Sequence, residues 1–174
     1  MDFAREQTPT RDHLYRYASH ALDSGYTALG LYLEHRFAYP SSPWAHGRQP
    51  ITPEMVKDLQ SEFPSLEIIP FINLLGHMEG FIYAEEGRSW RADRFAGLQA
   101  SANAPGFREF ADQLLEDTLS CFSSSMIHLG GDETAQLISH PRDAAIAAER
   151  GGDPKARIYA DHFGPLIEKT AKIG

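Results

Sequence analysis

The sequence predicts an α/β fold built on a parallel sheet, with helices packed outside it. Short apolar stretches alternate with stretches that carry the apolar stripe of a helix, and this alternation occurs four times. The resulting order over 174 residues is β-α-β-α-β-α-β-α, which is typical of parallel strands joined by crossover helices. Four such units fit half of an eight-unit barrel or an open, doubly wound sheet.

Capping residues and apolar spacing define the predicted helices. In the first, Thr10 can cap the helix and Gly25 can end it. Its apolar residues follow helical spacing and are Leu14, Tyr17, Ala18, Ala21 and Leu22. The second begins with Thr52 as cap and Pro53 at the first helical position. The remaining helical stretches are "PGFREFADQLLEDTLSCF", "HPRDAAIAAERGG" and "DPKARIYADHFGPLIEKTAKIG", the last with a bend expected at Pro165.

The predicted strands are short and apolar. They are "MDFAR" at the start, then "YTALGLYLE", "LEIIPFINLLG" and "MIHLGG". A longer loop of about 82–103 contains Trp90 and many polar residues. In parallel sheets of this kind, ligands bind at the carboxyl ends of the strands, so those ends are where function is expected.

Composition excludes several classes of function. Hydrophobic residues make up 42% and charged residues 23% of the chain, as in ordinary folded, soluble proteins. The net charge of -8 disfavours nucleic acid and anionic membrane surfaces as partners. Cys121 is the only cysteine, so neither an intrachain disulfide nor a cysteine zinc site can form. The chain is expected to be cytoplasmic if Met1 is its natural start.

Polar and ionisable residues gather at all four predicted strand ends. In chain order they are Asp2, Arg5, Glu34, His35, Arg36, Asn73, His77, His128, Asp132 and Glu133. Each has an ordinary structural explanation: His128 as an inward core histidine, for example, or "GDET" as a turn whose aspartate caps a helix. Taken together at one edge of a sheet, they favour an active site.

The adjacent acids Asp132 and Glu133 suggest one kind of glycoside hydrolysis. Ordinary glycosidases place two carboxylates on opposite sides of the scissile bond, which neighbouring residues cannot easily do. A 2-acetamido sugar can instead supply its own nucleophile, the acetamido carbonyl oxygen. One acid then protonates the leaving group and its neighbour orients the acetamido nitrogen. A carboxylic acid that donates a proton near neutral pH needs burial or a nearby negative charge, and Asp132 supplies that charge.

The segment "HLGGDET" resembles the fourth-strand signature of the family 20 glycoside hydrolases, the β-N-acetylhexosaminidases. "MDFAR", "LYLEHRF" and "LLGHMEG" resemble the family's first, second and third strand segments, in the right order. The resemblance implies a partial TIM (β/α)8 barrel of about four βα units, a half barrel, with 1–174 as a single partial catalytic domain. The third segment lacks the family's Asp-x-Pro-Gly-His form, and a glutamate stands where the second usually has aspartate.

The resemblance also implies roles for individual residues. Glu133 would be the general acid and then the base for water, and Asp132 would hold the acetamido group. His77, with Glu34 as its candidate partner, would lie beside Glu133 and tune it. Arg5 would contact sugar hydroxyls, and His128 would support the residues that contact the substrate. These roles imply a carbohydrate substrate carrying an N-acetylhexosamine, and no cofactor or metal.

At 174 residues, the chain is long enough for only the first half of the family's eight-unit barrel. The family's second half barrel supplies tryptophans and a tyrosine that complete the acetamido pocket, whereas this chain has only Trp44 and Trp90, both in early loops. We therefore expect little turnover from the chain alone, and self-association through the open edges of its half barrel. Two alternatives stay open: a metal-dependent barrel hydrolase that uses His77, His128, Asp132 and Glu133, and a non-catalytic sugar-binding half barrel.

Overall fold

A computed structural model describes residues 1–3, 7–93, 95, 97–149 and 151–171. The described residues divide into two compact units. The first comprises Met1–Ile72 and Glu116–Leu129, and the second Asn73–Leu115 and Gly130–Gly174. No helix in the described part of the chain combines the length and the apolar character that crossing a membrane would take.

The first unit contains the parallel pairing that the sequence predicts. Strand β1, Ala28–Tyr32, pairs in parallel with strand β2, Glu67–Phe71, in a register that runs from Ala28 opposite Glu67 to Tyr32 opposite Phe71. Single parallel bridges extend this sheet on both sides, Asp2 to Tyr32 and Phe71 to His128. Four chain segments therefore lie side by side in sequence order, as successive βα units require.

The first and fourth predicted strands are shorter than expected, because each forms one bridge rather than a ladder. The fourth ends before the glycines: φ is +72° at Gly130 and +111° at Gly131, outside the extended range. The predicted strand "MIHLGG" therefore does not continue through its glycines, and the alternation of side chains between two faces stops at His128.

Two helices of the first unit begin where the sequence predicts. Helix α1, Arg11–Asp23, follows Thr10, whose hydroxyl accepts from the backbone N of His13 at 3.4 Å. Helix α2, Pro53–Glu62, follows Thr52, which accepts from Met55 N at 3.2 Å. These caps satisfy backbone donors that have no partner inside the helix. The core of this unit includes fully buried residues from both helices and the sheet: Leu14, Ala18, Leu31, Val56 and Leu59.

The second unit is mainly helical and has an aromatic core. It contains α3 (Glu79–Ile82), a 3₁₀ turn at Arg88–Trp90, α5 (Pro141–Glu149) and α6 (Pro154–Thr170), which continues through Pro165. Helix α4, Phe107–Cys121, begins in this unit and ends in the first. Trp90, predicted in a loop, stacks on Phe110 with 4.4 Å between ring centroids. Phe107 stacks on His162 of α6 at 5.6 Å.

Candidate functional site

The segment that follows β2 is buried and tightly held within the second unit. Leu74, Leu75 and Met78 have no exposed surface, and His77 is 4% exposed. Met78 N donates to Leu98 O at 2.7 Å, and Ala100 N donates to Leu75 O at 2.9 Å. A segment fixed by backbone hydrogen bonds on both sides of His77 gives that side chain a defined position.

Gly76 allows the backbone around Asp132 to approach this segment. A Cβ atom on Gly76 would lie 2.6 Å from the backbone oxygen of Asp132 and 3.5 Å from the Thr134 methyl group. The glycine of the predicted Gly-His pair is therefore required for close packing of two loops, and it places His77 next to the acidic pair.

His77 lies between the two adjacent carboxylates. Its Nε2 atom is 3.5 Å from Asp132 Oδ2 and 3.3 Å from Glu133 Oε2. In a regular strand, neighbouring side chains point to opposite faces and could not both reach one nitrogen. The structure thus brings together three of the predicted site residues, His77, Asp132 and Glu133.

The backbone geometry explains how adjacent acids can face the same group. Glu133 has φ +51° and His77 has φ +48°, both in the left-handed region that side chains other than glycine rarely occupy. Such conformations cost on the order of 1–3 kcal/mol each and concentrate at functional sites. Among the described residues, the others of this kind are Glu34 and Gln49. Three of these four are residues that the sequence places in the site.

Gly131 makes a second close approach, to helix α6. A Cβ atom on Gly131 would collide with the hydroxyl of Tyr159 and lie 3.1 Å from Phe163 Cζ. Since its φ is also positive, Gly131 suits this position both sterically and conformationally. The pair of glycines before Asp132 therefore ends the strand and lets the acidic loop pack against α6.

The two carboxylates are open to solvent, unlike the histidine that faces them. The side chain of His77 is 5% exposed, whereas those of Asp132 and Glu133 are 64% and 70% exposed. An acidic pair this open can be reached by a ligand, but the described residues do not exclude water from it.

Sequence reasoning missed two polar residues that surround His77 and the acidic loop. The Glu79 carboxylate has an oxygen within 4.8 Å of a ring nitrogen of His77. Glu79 Oε2 and His77 Nδ1 are both buried and have no hydrogen-bond partner among the described residues. Gln99 is 1% exposed, and its Oε1 accepts from Gln136 N at 2.8 Å. The glutamate two residues after the histidine in "GHMEG" was a usable signal, whereas Gln99 carried none.

His162, on helix α6, contacts the backbone of the segment that precedes His77. His162 is 3% exposed, and its Nε2 lies 2.7 Å from Leu74 O. Burial lowers the pKa of His162 to about 4, although the contact with Leu74 opposes that shift. The ring is therefore neutral near pH 7 and can donate one hydrogen bond to the backbone that leads to His77.

The remaining predicted residues lie in the first unit or outside the described residues. Glu34 is buried at the start of a 3₁₀ turn, Glu34–Arg36, that follows β1. His128 is exposed and stacks on Phe71, with 4.7 Å between ring centroids, so it is not the core histidine that the sequence suggested. Arg5 lies outside the described residues.

The described residues support neither a metal site made of His77, Asp132 and Glu133 nor nucleophilic attack by Cys121. The ligand atoms of His77, Asp132 and Glu133 do not all lie within 4.8 Å of one another, as three ligands of one metal ion would. Cys121 is buried, and burial raises the pKa of its thiol to about 11, so the thiolate needed for nucleophilic attack is scarce near neutral pH.

Comparison with solved structures shows the same fold in three bacterial enzymes. The Flavobacterium johnsoniae chitobiase matches 98% of this chain with a TM-score of 0.79 at 12% identity. The Bacteroides fragilis β-N-acetylhexosaminidase matches 97% with a TM-score of 0.74 at 18% identity. The Streptomyces coelicolor GH20 β-N-acetylhexosaminidase matches 97% with a TM-score of 0.67, also at 18% identity. No family model and no curated protein sequence matches the chain.

The matches cover this chain almost completely but only part of each enzyme. The chain spans 29%, 39% and 36% of the three solved chains, respectively. At sequence identities this low, the matches establish likeness of fold. The resemblance to the family 20 glycoside hydrolases, which four short motifs predicted, is therefore confirmed as a likeness of fold.

Proposed function

We propose that this chain forms the first half of the catalytic barrel of a family 20 glycoside hydrolase. The complete barrel would remove terminal non-reducing N-acetyl-β-D-hexosamine residues from glycans, with retention of configuration. Likeness of fold to three enzymes of that family supports the proposal. The observation that carries it is the position of His77 Nε2 within 3.5 Å of one carboxylate and 3.3 Å of its neighbour.

In the first step, Glu133 protonates the glycosidic oxygen as the leaving group departs. The carbonyl oxygen of the substrate's own 2-acetamido group attacks the anomeric carbon and forms a bicyclic oxazolinium ion. Asp132 accepts a hydrogen bond from the acetamido nitrogen, which fixes the orientation of the attacking oxygen and stabilises the positive charge that develops.

In the second step, Glu133 takes a proton from water, which attacks the anomeric carbon from the face that the leaving group vacated. The acetamido group is released, and the product keeps its original configuration. His77 contacts both acids and no substrate atom in this scheme, so its role is to position the pair. The surrounding packing fixes Glu133 and His77 in left-handed backbone conformations, which orient their side chains before substrate arrives.

A second candidate function is sugar binding without catalysis. The exposure of the two carboxylates, 64% and 70%, favours it for the chain alone, because the described residues build only an open surface around them. A saccharide could bind there through hydrogen bonds to the acids without being protonated efficiently.

The experiment that tests the proposal uses the protein formed by these residues together with the rest of the barrel. The assay compares aryl N-acetyl-β-glucosaminide with aryl β-glucoside, with and without a chelator. We expect hydrolysis of the first only, because the glucoside lacks the internal nucleophile, and we expect no effect of the chelator. Equal rates on both glycosides would contradict the substrate-assisted mechanism. Loss of activity with chelator would favour the metal-dependent alternative, and binding without turnover would favour the second candidate.

A further inference from the structure

The first unit contains a polar cleft that the proposed function does not use. The cleft has a volume of about 470 Å³ and is lined by Gln7, Thr8, Arg36, Arg48 and Gln49. We call it the arginine cleft. Its described lining residues include two guanidinium groups, two carboxamides and one hydroxyl, and no carboxylate. The chain as a whole has a net charge of -8, whereas the charged side chains among the described lining residues are both positive.

Arg36 is fixed at the base of this cleft by its backbone. Arg36 N donates to Leu33 O at 2.9 Å, which closes the 3₁₀ turn after β1. Ile51 N then donates to Arg36 O at 2.8 Å, next to a parallel bridge between Phe37 and Ile51. This pairing brings Arg48 and Gln49, which directly precede that bridge, to the same cleft as Arg36.

The guanidinium of Arg36 has a defined position, and among the described residues it forms no ion pair. A Cβ atom on Gly47 would lie 2.7 Å from Arg36 Nη1, so the guanidinium rests against the glycine backbone. Arg36 Nε and Thr8 Oγ1 are both buried and have no hydrogen-bond partner among the described residues. Buried donors without partners are costly in folded proteins, and an anion in the cleft would remove that cost.

Backbone strain marks the same cleft. Gln49 has φ +52° and is the fourth of the described residues, other than glycine, in the left-handed region. The other three, Glu34, His77 and Glu133, are predicted site residues. Strain of this kind concentrates at ligand sites as well as at catalytic groups, and here it falls on a residue that lines the cleft together with two arginines.

We propose that the arginine cleft binds the anionic group of an acidic saccharide, a carboxylate or a sulfate. The planar guanidinium matches the paired oxygens of either group. The amides of Gln7 and Gln49 and the hydroxyl of Thr8 can bond to the hydroxyls of the sugar ring. A volume of about 470 Å³ accommodates one monosaccharide. That the ligand is a saccharide rests on the proposed function, whereas its negative charge rests on the cleft alone.

The test is calorimetric titration of the 174-residue chain at low salt with three sugars. The probes are D-glucuronate, N-acetylglucosamine 6-sulfate and neutral N-acetylglucosamine, with inorganic sulfate as a fourth titrant. We expect saturable binding of at least one acidic sugar, tighter than neutral sugar and inorganic sulfate and weakened by added salt. Arg36→Gln should weaken this binding about tenfold or more, because it removes a charge-assisted hydrogen bond from the anion.

Two further variants keep the result interpretable. Arg48→Gln alters an exposed cleft residue and should weaken binding without affecting folding, which covers the case in which Arg36→Gln unfolds. Arg16→Gln removes the same charge from an exposed position on α1, outside the cleft, and should leave binding unchanged. Equal binding of neutral and acidic sugars, equal loss in Arg16→Gln, or no saturable binding would overturn the proposal.

The outcome is separable from that of the proposed function. None of the three variants alters His77, Asp132 or Glu133, and the titration does not require turnover. Inorganic sulfate binding as tightly as the acidic sugars would overturn the saccharide assignment, whatever the glycosidase assay shows.

Discussion

At the residue scale, glycines and left-handed residues shape the candidate site more than any hydrogen bond does. Gly76 and Gly131 each occupy a position where a side chain would collide with a neighbouring group, one with the Asp132 backbone and one with Tyr159. Glu133 and His77 adopt strained backbone conformations at the point where their side chains meet. The site is therefore built from close backbone approach, which a predicted strand with alternating faces could not supply.

Replacement of Gly76 by alanine should destabilise the chain. The added methyl would lie 2.6 Å from a backbone oxygen that no side-chain rotation can move, so the loop carrying Asp132 must shift. We expect a loss of about 1–3 kcal/mol in the free energy of unfolding, measured by urea denaturation. Gly151→Ala is the matched control, since a Cβ atom there meets nothing within 4 Å. This substitution should change the free energy of unfolding by less than about 0.5 kcal/mol. Equal effects of the two substitutions would contradict the packing described for Gly76.

At the element scale, the longer helices were predictable, whereas the short helix α3 and the strand lengths were not. Thr10 and Thr52 cap the predicted helices because their hydroxyls act locally, within three residues. The fourth strand stops after one bridge because two glycines with positive φ follow it. Glycine adopts extended and left-handed conformations about equally well, so the sequence did not predict which of them these two residues take. Tyr17 falls on the predicted apolar stripe of α1 yet is 54% exposed, since spacing alone does not say how wide the buried face is.

The candidate site shows the same division between what sequence predicts and what it does not. The adjacent acids and the Gly-His pair, through their resemblance to the family 20 motifs, predicted that His77, Asp132 and Glu133 form one site, and the structure brings the three side chains together. The bond from α6 to the segment before His77 was not predictable, because His162 and Leu74 are 88 residues apart. Nothing in the sequence around His162 distinguishes it from an exposed helical residue.

His162 should make the stability of the chain depend on pH. The pKa of His162 falls from 6.5 to about 4 on folding, so between these pH values the ring is protonated in the unfolded chain and neutral in the folded chain. The contribution is therefore complete above pH 6.5 and is lost as pH falls from 6.5 towards 4. Nearby Arg108 disfavours the protonated ring and Asp143 favours it.

The measurement is urea unfolding of the chain and of His162→Gln across that pH range. The variant keeps a donor for Leu74 O but has no titrating ring. As pH falls across this range, the free energy of unfolding of the wild type should decrease by about 3 kcal/mol more than that of the variant. Parallel pH profiles for the two proteins would show that His162 is protonated equally in both states.

At the scale of the whole molecule, the chain corresponds to only part of each compared enzyme, and this bears on what we expect it to do alone. It matches solved hexosaminidases over nearly its own full length but spans 29% to 39% of the three compared chains. The acids of the candidate site are open to solvent, and an open site neither orients a sugar from several sides nor excludes water. A half barrel, as proposed for this chain, would also leave strand edges unpaired.

The purified chain of 174 residues should therefore show little or no turnover of an aryl N-acetyl-β-glucosaminide. A fluorogenic assay at high protein concentration, with Glu133→Gln as the background control, is sensitive enough to decide this. Sedimentation of the same samples tests the expected self-association. Turnover by the chain that disappears in Glu133→Gln would contradict the proposal that the rest of the barrel is needed.

The most direct test of the central claim is the dependence of rate on the leaving group in the complete barrel. Wild type and Glu133→Gln are compared on 2,4-dinitrophenyl and phenyl N-acetyl-β-glucosaminides, with the exposed Glu149→Gln as control. Dinitrophenolate departs without a proton and phenolate does not, so loss of the general acid should slow phenyl hydrolysis about 100-fold more. Equal losses on the two substrates would show that Glu133 is not the acid.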